Sequence, residues 1–136
     1  MKTEQKEVEV NDNYPTPYQL SITEDPRPWG KFRQYPQEEI SGIKIITVNP
    51  EQAPSLQYHH HRAEFWIVLD SGLEITLGDK TWFAEVGEEI WIPEVTVHRV
   101  RCVGVVPARF LEFWFGESSE DDIVRLADDY ARLSIQ

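Results

Sequence analysis

The feature that most constrains this chain is a train of short apolar or alternating runs. They recur about every ten residues and are separated by turn residues, the pattern of a protein built from many short strands. The runs fall at 32–35, 43–48, 55–59, 64–69, 73–77, 81–84, 89–92, 98–103 and 109–115. Asp70-Ser-Gly72 and Gly78-Asp-Lys80 supply tight hairpin connections, while Asn49-Pro50 and Pro93-Glu94 break strands. Antiparallel strands this numerous, in a chain of 136 residues, close as a small barrel or a double-sheet jelly roll with one core. The expected fold class is therefore all-β.

The flanks read differently. Residues 1–12 are charged and polar without apolar periodicity, the pattern of a mobile tail. Residues 13–30 hold Pro15, Pro17, Pro26 and Pro28, which are excluded from central strands, so they are expected to run as an extended arm. Residues 31–136 form the β domain, ending in an amphipathic helix. That helix is predicted from Ser118 and Ser119 as caps, the acids that follow them, and Ile123, Leu126, Ala127 and Tyr130 at helical spacing.

The formal net charge of -11 speaks against nucleic acid and anionic membrane as partners, because both select clustered Lys and Arg. The lone Cys102 excludes an intrachain disulfide, and its expected state is a buried, inert thiol. No apolar run approaches the length of a membrane span and no signal segment is seen, which sets the expectation of a cytoplasmic protein.

Chemistry concentrates in Ser55-Leu-Gln-Tyr-His-His-His-Arg-Ala-Glu-Phe-Trp66. On a strand, Gln57, His59 and His61 share a face; a turn at Arg62-Ala63 would bring Glu64 to the same side, and His60 faces solvent. An amide oxygen, an imidazole and a carboxylate from this stretch lack one partner for a divalent cation. The remaining histidine of the chain, His98, follows Gly87-Glu-Glu-Ile-Trp-Ile-Pro93 after a short loop. A barrel that sets the two stretches side by side yields the ligand set Gln57, His59, Glu64 and His98. The donor mix suits zinc first, with manganese, cobalt, nickel or iron as alternatives. The competing reading is a solvated histidine patch, with His98 bonded to backbone.

The order of these motifs resembles that of the cupins. Arg27-Pro-Trp-Gly30, Ser55-Leu-Gln57, His59-His-His-Arg-Ala-Glu64 with Trp66, Ile92-Pro93 with His98-Arg99, and Glu120-Asp-Asp-Ile-Val-Arg125 resemble, more narrowly, the type II mannose-6-phosphate isomerase domain. That domain usually forms the C-terminal part of bifunctional mannose-1-phosphate guanylyltransferase/phosphomannose isomerases. The resemblance implies a single cupin barrel acting as a metal-dependent aldose–ketose isomerase on a small sugar phosphate, with homodimers as an option. It does not carry guanylyl transfer, since the sequence has no Gly-rich nucleotide loop.

Isomerisation moves a proton between adjacent carbons, and it needs a Lewis acid and a base. Glu112 shares a strand face with Phe110 and Trp114 and is the candidate base; its bland alternative is a salt bridge to an arginine. Arg62, expected at the mouth, is the candidate for binding phosphate or developing negative charge; its alternative is a turn-surface arginine. Arg27, Lys31, Arg99, Arg101 and Arg109 complete the cationic pool, with Arg99 and Arg101 facing away from His98. Trp66, Trp91 and Trp114 are expected as core or pocket wall. The chain also departs from the family pattern. Glu51 and Val95 replace frequent glycines, Phe65 a histidine and Cys102 an asparagine, and Leu111-Glu-Phe-Trp114 lacks the usual glutamine. These changes leave two rivals: a non-catalytic sugar-binding or regulatory cupin, and another cupin enzyme such as an epimerase or dioxygenase.

Overall fold

The computed structural model describes residues 16–54, 56–116 and 122–129. The chain divides at Glu38 and Glu39 into two compact units. The tail over residues 1–12 lies outside the described residues.

The first unit opens with helix α1 (Pro17–Leu20), capped by a reciprocal Thr16–Gln19 box with proline at its start. Strands β1 (Thr23–Arg27) and β2 (Gly30–Gln34) then pair as an antiparallel hairpin. The chain expected to run extended through residue 30 therefore folds back on itself. Pro26 is tolerated because each strand of a two-stranded ribbon is an edge, where a missing N–H leaves no ladder partner unbonded. Glu24 bridges Lys31 at 3.2 Å and Arg33 at 3.3 Å, and Arg27 bonds Asp25 at 2.9 Å. Arg27 and Lys31 thus have carboxylate partners inside this unit.

The second unit is all antiparallel. It contains β3 (Ile40–Val48), β4 (Leu56–Tyr58), β5 (Arg62–Val68), β6 (Leu73–Leu77), β7 (Lys80–Phe83), β8 (Glu89–Ile92), β9 (His98–Cys102), β10 (Ala108–Gly116) and β11 (Val124–Ala127). One sheet runs β3-β10-β5-β8 and the other β11-β4-β9-β6-β7. Alternation sends Trp66, Val68, Ile90, Ile92 and Phe110 from the first sheet against Leu73, Ile75, Leu77, Val100 and Cys102 from the second, and these close one apolar core. This is the double-sheet jelly roll expected from the sequence. The Cys102 thiol is buried in that core.

The predicted C-terminal helix is corrected over residues 124–127. That segment is β11, paired with β4 through Val124↔Tyr58, Arg125↔Gln57 and Ala127↔Leu56. Helical spacing of Leu126 and Ala127 is a local preference. Pairing along the open edge of β4 is a tertiary gain that overrides it. The rest of the predicted helix, from 118 to 121 and at 130, lies outside the described residues.

A candidate metal centre inside the barrel

At one end of the layer between the sheets, the inward positions change from apolar to polar. On β5 the inward set reads Arg62, Glu64, Trp66, Val68; on β10 it reads Ala108, Phe110, Glu112, Trp114. Glu64 lies opposite Trp114 and Trp66 opposite Glu112, so two carboxylates meet on neighbouring strands. From the other sheet, β9 brings in His98, whose cross-strand partner is Gln57 of β4. Paired residues in antiparallel strands share a face, so Gln57 stands on the same side as His98. His59, Arg62, Glu64, His98 and Glu112 are all buried.

The turn between β4 and β5 falls at His60 and His61, ahead of Arg62. This places Arg62 and Glu64 on one face, and it leaves His61 exposed rather than inward. Two residues close the turn. Gly116 adopts φ +96, and a Cβ there would overlap the His61 carbonyl oxygen, so β10 can pass the turn only as glycine. Asp122 accepts from the backbone N–H groups of His60 at 3.1 Å and His61 at 2.8 Å. Its own carbonyl accepts from His59 Nδ1 at 2.5 Å. Sequence reasoning placed Asp122 at a helix start and missed this role.

Both imidazoles are oriented by carbonyl oxygens. A carbonyl only accepts, so the ring nitrogen facing it must carry the hydrogen. His59 Nδ1 donates to Asp122 and His98 Nδ1 donates to the Thr96 carbonyl at 2.9 Å, which leaves both Nε2 atoms as bare donors of electron pairs. His59 Nε2 lies 3.3 Å from Glu64 Oε2, and His98 Nε2 lies 3.9 Å from Glu64 Oε1. Ligands about 2.1 Å from a tetrahedral zinc sit about 3.4 Å apart. The ligand atoms of His59, Glu64 and His98 all lie within 4.8 Å of one another. His98 Nε2 is buried and has no hydrogen-bond partner among the described residues. An orphaned buried nitrogen in a two-imidazole, one-carboxylate cluster is what a divalent cation satisfies, so the residues fit the ion.

The charges agree with this arrangement. Burial lowers the pKa of His98, although the Glu64 charge opposes it, so the ring is held neutral as a ligand must be. Burial alone would raise the Glu64 carboxyl. The contact with His59, the electrostatic pull of His98 and a hydrogen bond from Glu112 outweigh it and hold Glu64 well below the usual carboxylate range. Glu64 also accepts from Trp66 Nε1 at 2.8 Å and Arg62 Nε at 3.1 Å. Glu112 moves the other way, pushed up to about 8 by burial, by repulsion from Glu64 and by the hydrogen bond it gives to Glu64. Trp114 Nε1 donates to Glu112 at 2.6 Å. Glu112 is thus buried beside the cluster, with its pKa raised well above the ordinary carboxylate value.

Arg62, expected at the mouth, is 4% exposed. Its guanidinium carbon stands 3.9 Å from the centre of the Trp114 ring. Three arginines of the pool named from the sequence have carboxylate partners outside the cluster. Arg99 and Arg101 pair with Asp129 at 3.2 and 3.7 Å, and Arg109 with Asp70 at 2.7 Å. Trp66 sets its edge against His98 at 5.7 Å, whereas Trp91 packs on Phe115, away from the cluster. Phe65, standing where the family has histidine, points to the opposite face from Glu64 and stacks on Phe113 at 6.1 Å.

Comparison with known proteins bears on the family and the fold. The family described as Mannose-6-phosphate isomerase C-terminal matches residues 19–128. Mannose-1-phosphate guanylyltransferase 2 of Escherichia coli O157:H7 is 41% identical over 105 residues, covering 76% of this chain and 22% of that protein. Alginate biosynthesis protein AlgA of Pseudomonas aeruginosa is 40% identical over 109 residues, covering 79% of this chain and 23% of that protein. The chain therefore spans less than a quarter of the length of these curated relatives. Among solved structures, a dTDP sugar isomerase from Desulfovibrio desulfuricans G20 aligns with a TM-score of 0.60 at 13% identity, over 85% of this chain and 87% of that one. A double-stranded β-helix protein from Klebsiella pneumoniae aligns with a TM-score of 0.57 at 18% identity, over 66% of this chain and 76% of that one. At such identities the structural likeness shows the fold, a cupin barrel. The family match, which takes in β1 through β11, shows the rest: this chain belongs to the mannose-6-phosphate isomerase C-terminal family.

Proposed function

We propose that this chain is a metal-dependent isomerase domain that interconverts an aldose phosphate and a ketose phosphate, mannose 6-phosphate and fructose 6-phosphate being the pair to test first. The observation that carries the reading is the convergence of His59, Glu64 and His98 beside a carboxyl, Glu112, that holds a proton near neutral pH. Gln57 is the proposed fourth ligand, on the ground that its backbone lies opposite His98. A divalent cation so held, zinc first, supplies Lewis acidity to the oxygens of an open-chain sugar.

The chain's own residues then divide the work. Glu112 gives and takes a proton efficiently only if its pKa lies near the working pH, and about 8 meets that condition. Trp114 Nε1 donates to one oxygen of Glu112, and the other oxygen is the proposed point of proton transfer. Arg62 is a buried cation within the cluster and the proposed counter-charge for the enediolate or the phosphate. Trp66 and Phe110, 4.6 Å apart, close the apolar floor and keep water from the proton in transit. Guanylyl transfer, named for the E. coli relative, is not proposed here. A homodimer and a cytoplasmic setting are part of the same reading.

Proton exchange tests it. Incubated with zinc and mannose 6-phosphate in heavy water, the protein is expected to form fructose 6-phosphate with deuterium at carbon 1 and to return mannose 6-phosphate with deuterium at carbon 2; Glu112→Gln should abolish both. Full metal loading without exchange on any hexose phosphate would move the reading to a non-catalytic sugar-binding cupin.

A further inference from the structure

Arg62 stands in an unusual place for a residue that only awaits an anion. Its Nε is 3.1 Å from Glu64 Oε2, and its terminal nitrogen NH2 lies against the His59 ring, 2.7 Å from Nε2 and 3.0 Å from Nδ1. Glu64 Oε2 and His59 Nε2 are the atoms that a metal ion between the two residues must contact, themselves 3.3 Å apart. The guanidinium is buried, lies over the Trp114 ring, and keeps its other terminal nitrogen, NH1, without a hydrogen-bond partner among the described residues. A buried ionised carboxylate needs a positive partner, and Arg62 supplies one.

From this we infer that Arg62 is a built-in competitor for the metal site: its guanidinium neutralises Glu64 and covers His59 Nε2 until a divalent cation displaces it. Two fixed positive charges cannot share Glu64 Oε2 and His59 Nε2 at these distances, because the mutual repulsion in a water-poor interior is large. Arg62 therefore sets how tightly the site takes up metal, and it leaves these two atoms only when metal is bound. The inference rests on the metal reading of the cluster and not on isomerase activity.

Chelator-treated protein titrated with zinc by calorimetry tests it directly. Arg62→Ala should bind zinc about tenfold or more tightly than the native chain, since a charge-assisted contact no longer has to be broken. The same variant should melt lower than the native chain without metal, and most of that loss should be recovered with zinc. Arg62→Lys, which keeps a movable positive charge, should fall between the two. In case Arg62→Ala does not fold without metal, the native protein carries a second readout. The Arg62 Nε–H proton resonance should be protected from exchange in the metal-free state, and it should shift and lose protection with one equivalent of zinc. Equal or weaker zinc affinity in the folded variant would overturn the inference. So would an Arg62 resonance indifferent to zinc, or a native protein that takes up no zinc. All three readouts are independent of turnover, so a failed exchange assay leaves them standing.

Discussion

The backbone N–H of Val95 donates to the carbonyl oxygen of His59 at 2.7 Å. The loop that carries His98 into the barrel is thereby tied to the turn that carries the first histidine. Val95 holds that bond at φ 59, a conformation that costs a β-branched residue about 1–2 kcal/mol. Glu51 sits at φ 64. Both positions hold glycine in many cupins, and the backbone explains why.

Val95→Gly should therefore stabilise the protein by about 1 kcal/mol, the relief of strain exceeding the added chain entropy. Val95 is 57% exposed, so little apolar burial is lost. Glu51→Gly should act in the same direction. Urea unfolding of the single and double variants checks this, and additive gains are expected because the two turns are separate.

Asp122 reaches the histidine turn across 63 residues of chain, and its removal should loosen His59. Asp122→Ala gives up two hydrogen bonds to backbone N–H groups, at a cost of about 1–3 kcal/mol in stability. Zinc affinity should fall with it by up to about tenfold, the low end of the range for changes around a metal-bound imidazole, because the carbonyl that orients His59 is backbone and is kept. Asp122→Asn, with one accepting oxygen left, should be intermediate. A lower melting point with unchanged zinc affinity would confine Asp122 to a purely structural role.

Glu112 gives the metal-free protein a distinctive pH dependence. Its folded value of about 8 stands above the ordinary 4.5, so between them the folded state keeps a proton that the unfolded chain has released. The stability it contributes is complete below the unfolded value and is lost as pH rises toward about 8, at up to about 1.4 kcal/mol per pH unit. Glu64 and His98, with lowered values, act in the opposite sense: what they contribute is present at higher pH and lost on acidification. Glu112→Gln mimics the protonated carboxyl. The variant should gain on the native protein steadily from about pH 5 to pH 8, and that difference isolates Glu112 from the other two groups. Parallel curves would mean that Glu112 is ionised in the native fold.

Much of the barrel was legible because its signals are local. Alternation and turn residues locate β5, β6, β9 and β10, and the same parity sends Glu112 inward with Phe110. His59, Glu64 and His98 could be paired because few other ligands exist. What escaped depends on tertiary geometry. The strand at Val124–Ala127 exists through its pairing with β4, which no local spacing encodes. The depth of Arg62 follows from the turn falling at His60 and His61, two residues earlier than expected. Asp122 could not be recognised because its partners are distant in sequence. The proline-rich hairpin was hidden by a rule that holds for central strands and is relaxed in a two-stranded ribbon.

The central claim is that two separated stretches of chain grip one cation. Zinc titration of chelator-treated native protein beside His98→Ala tests it most directly, since His98 Nε2 is a buried ring nitrogen with no hydrogen-bond partner among the described residues. The account predicts one equivalent bound by the native chain and an affinity about a hundredfold or more weaker in the variant. Equal binding by both proteins, or no binding by the native chain, would contradict it.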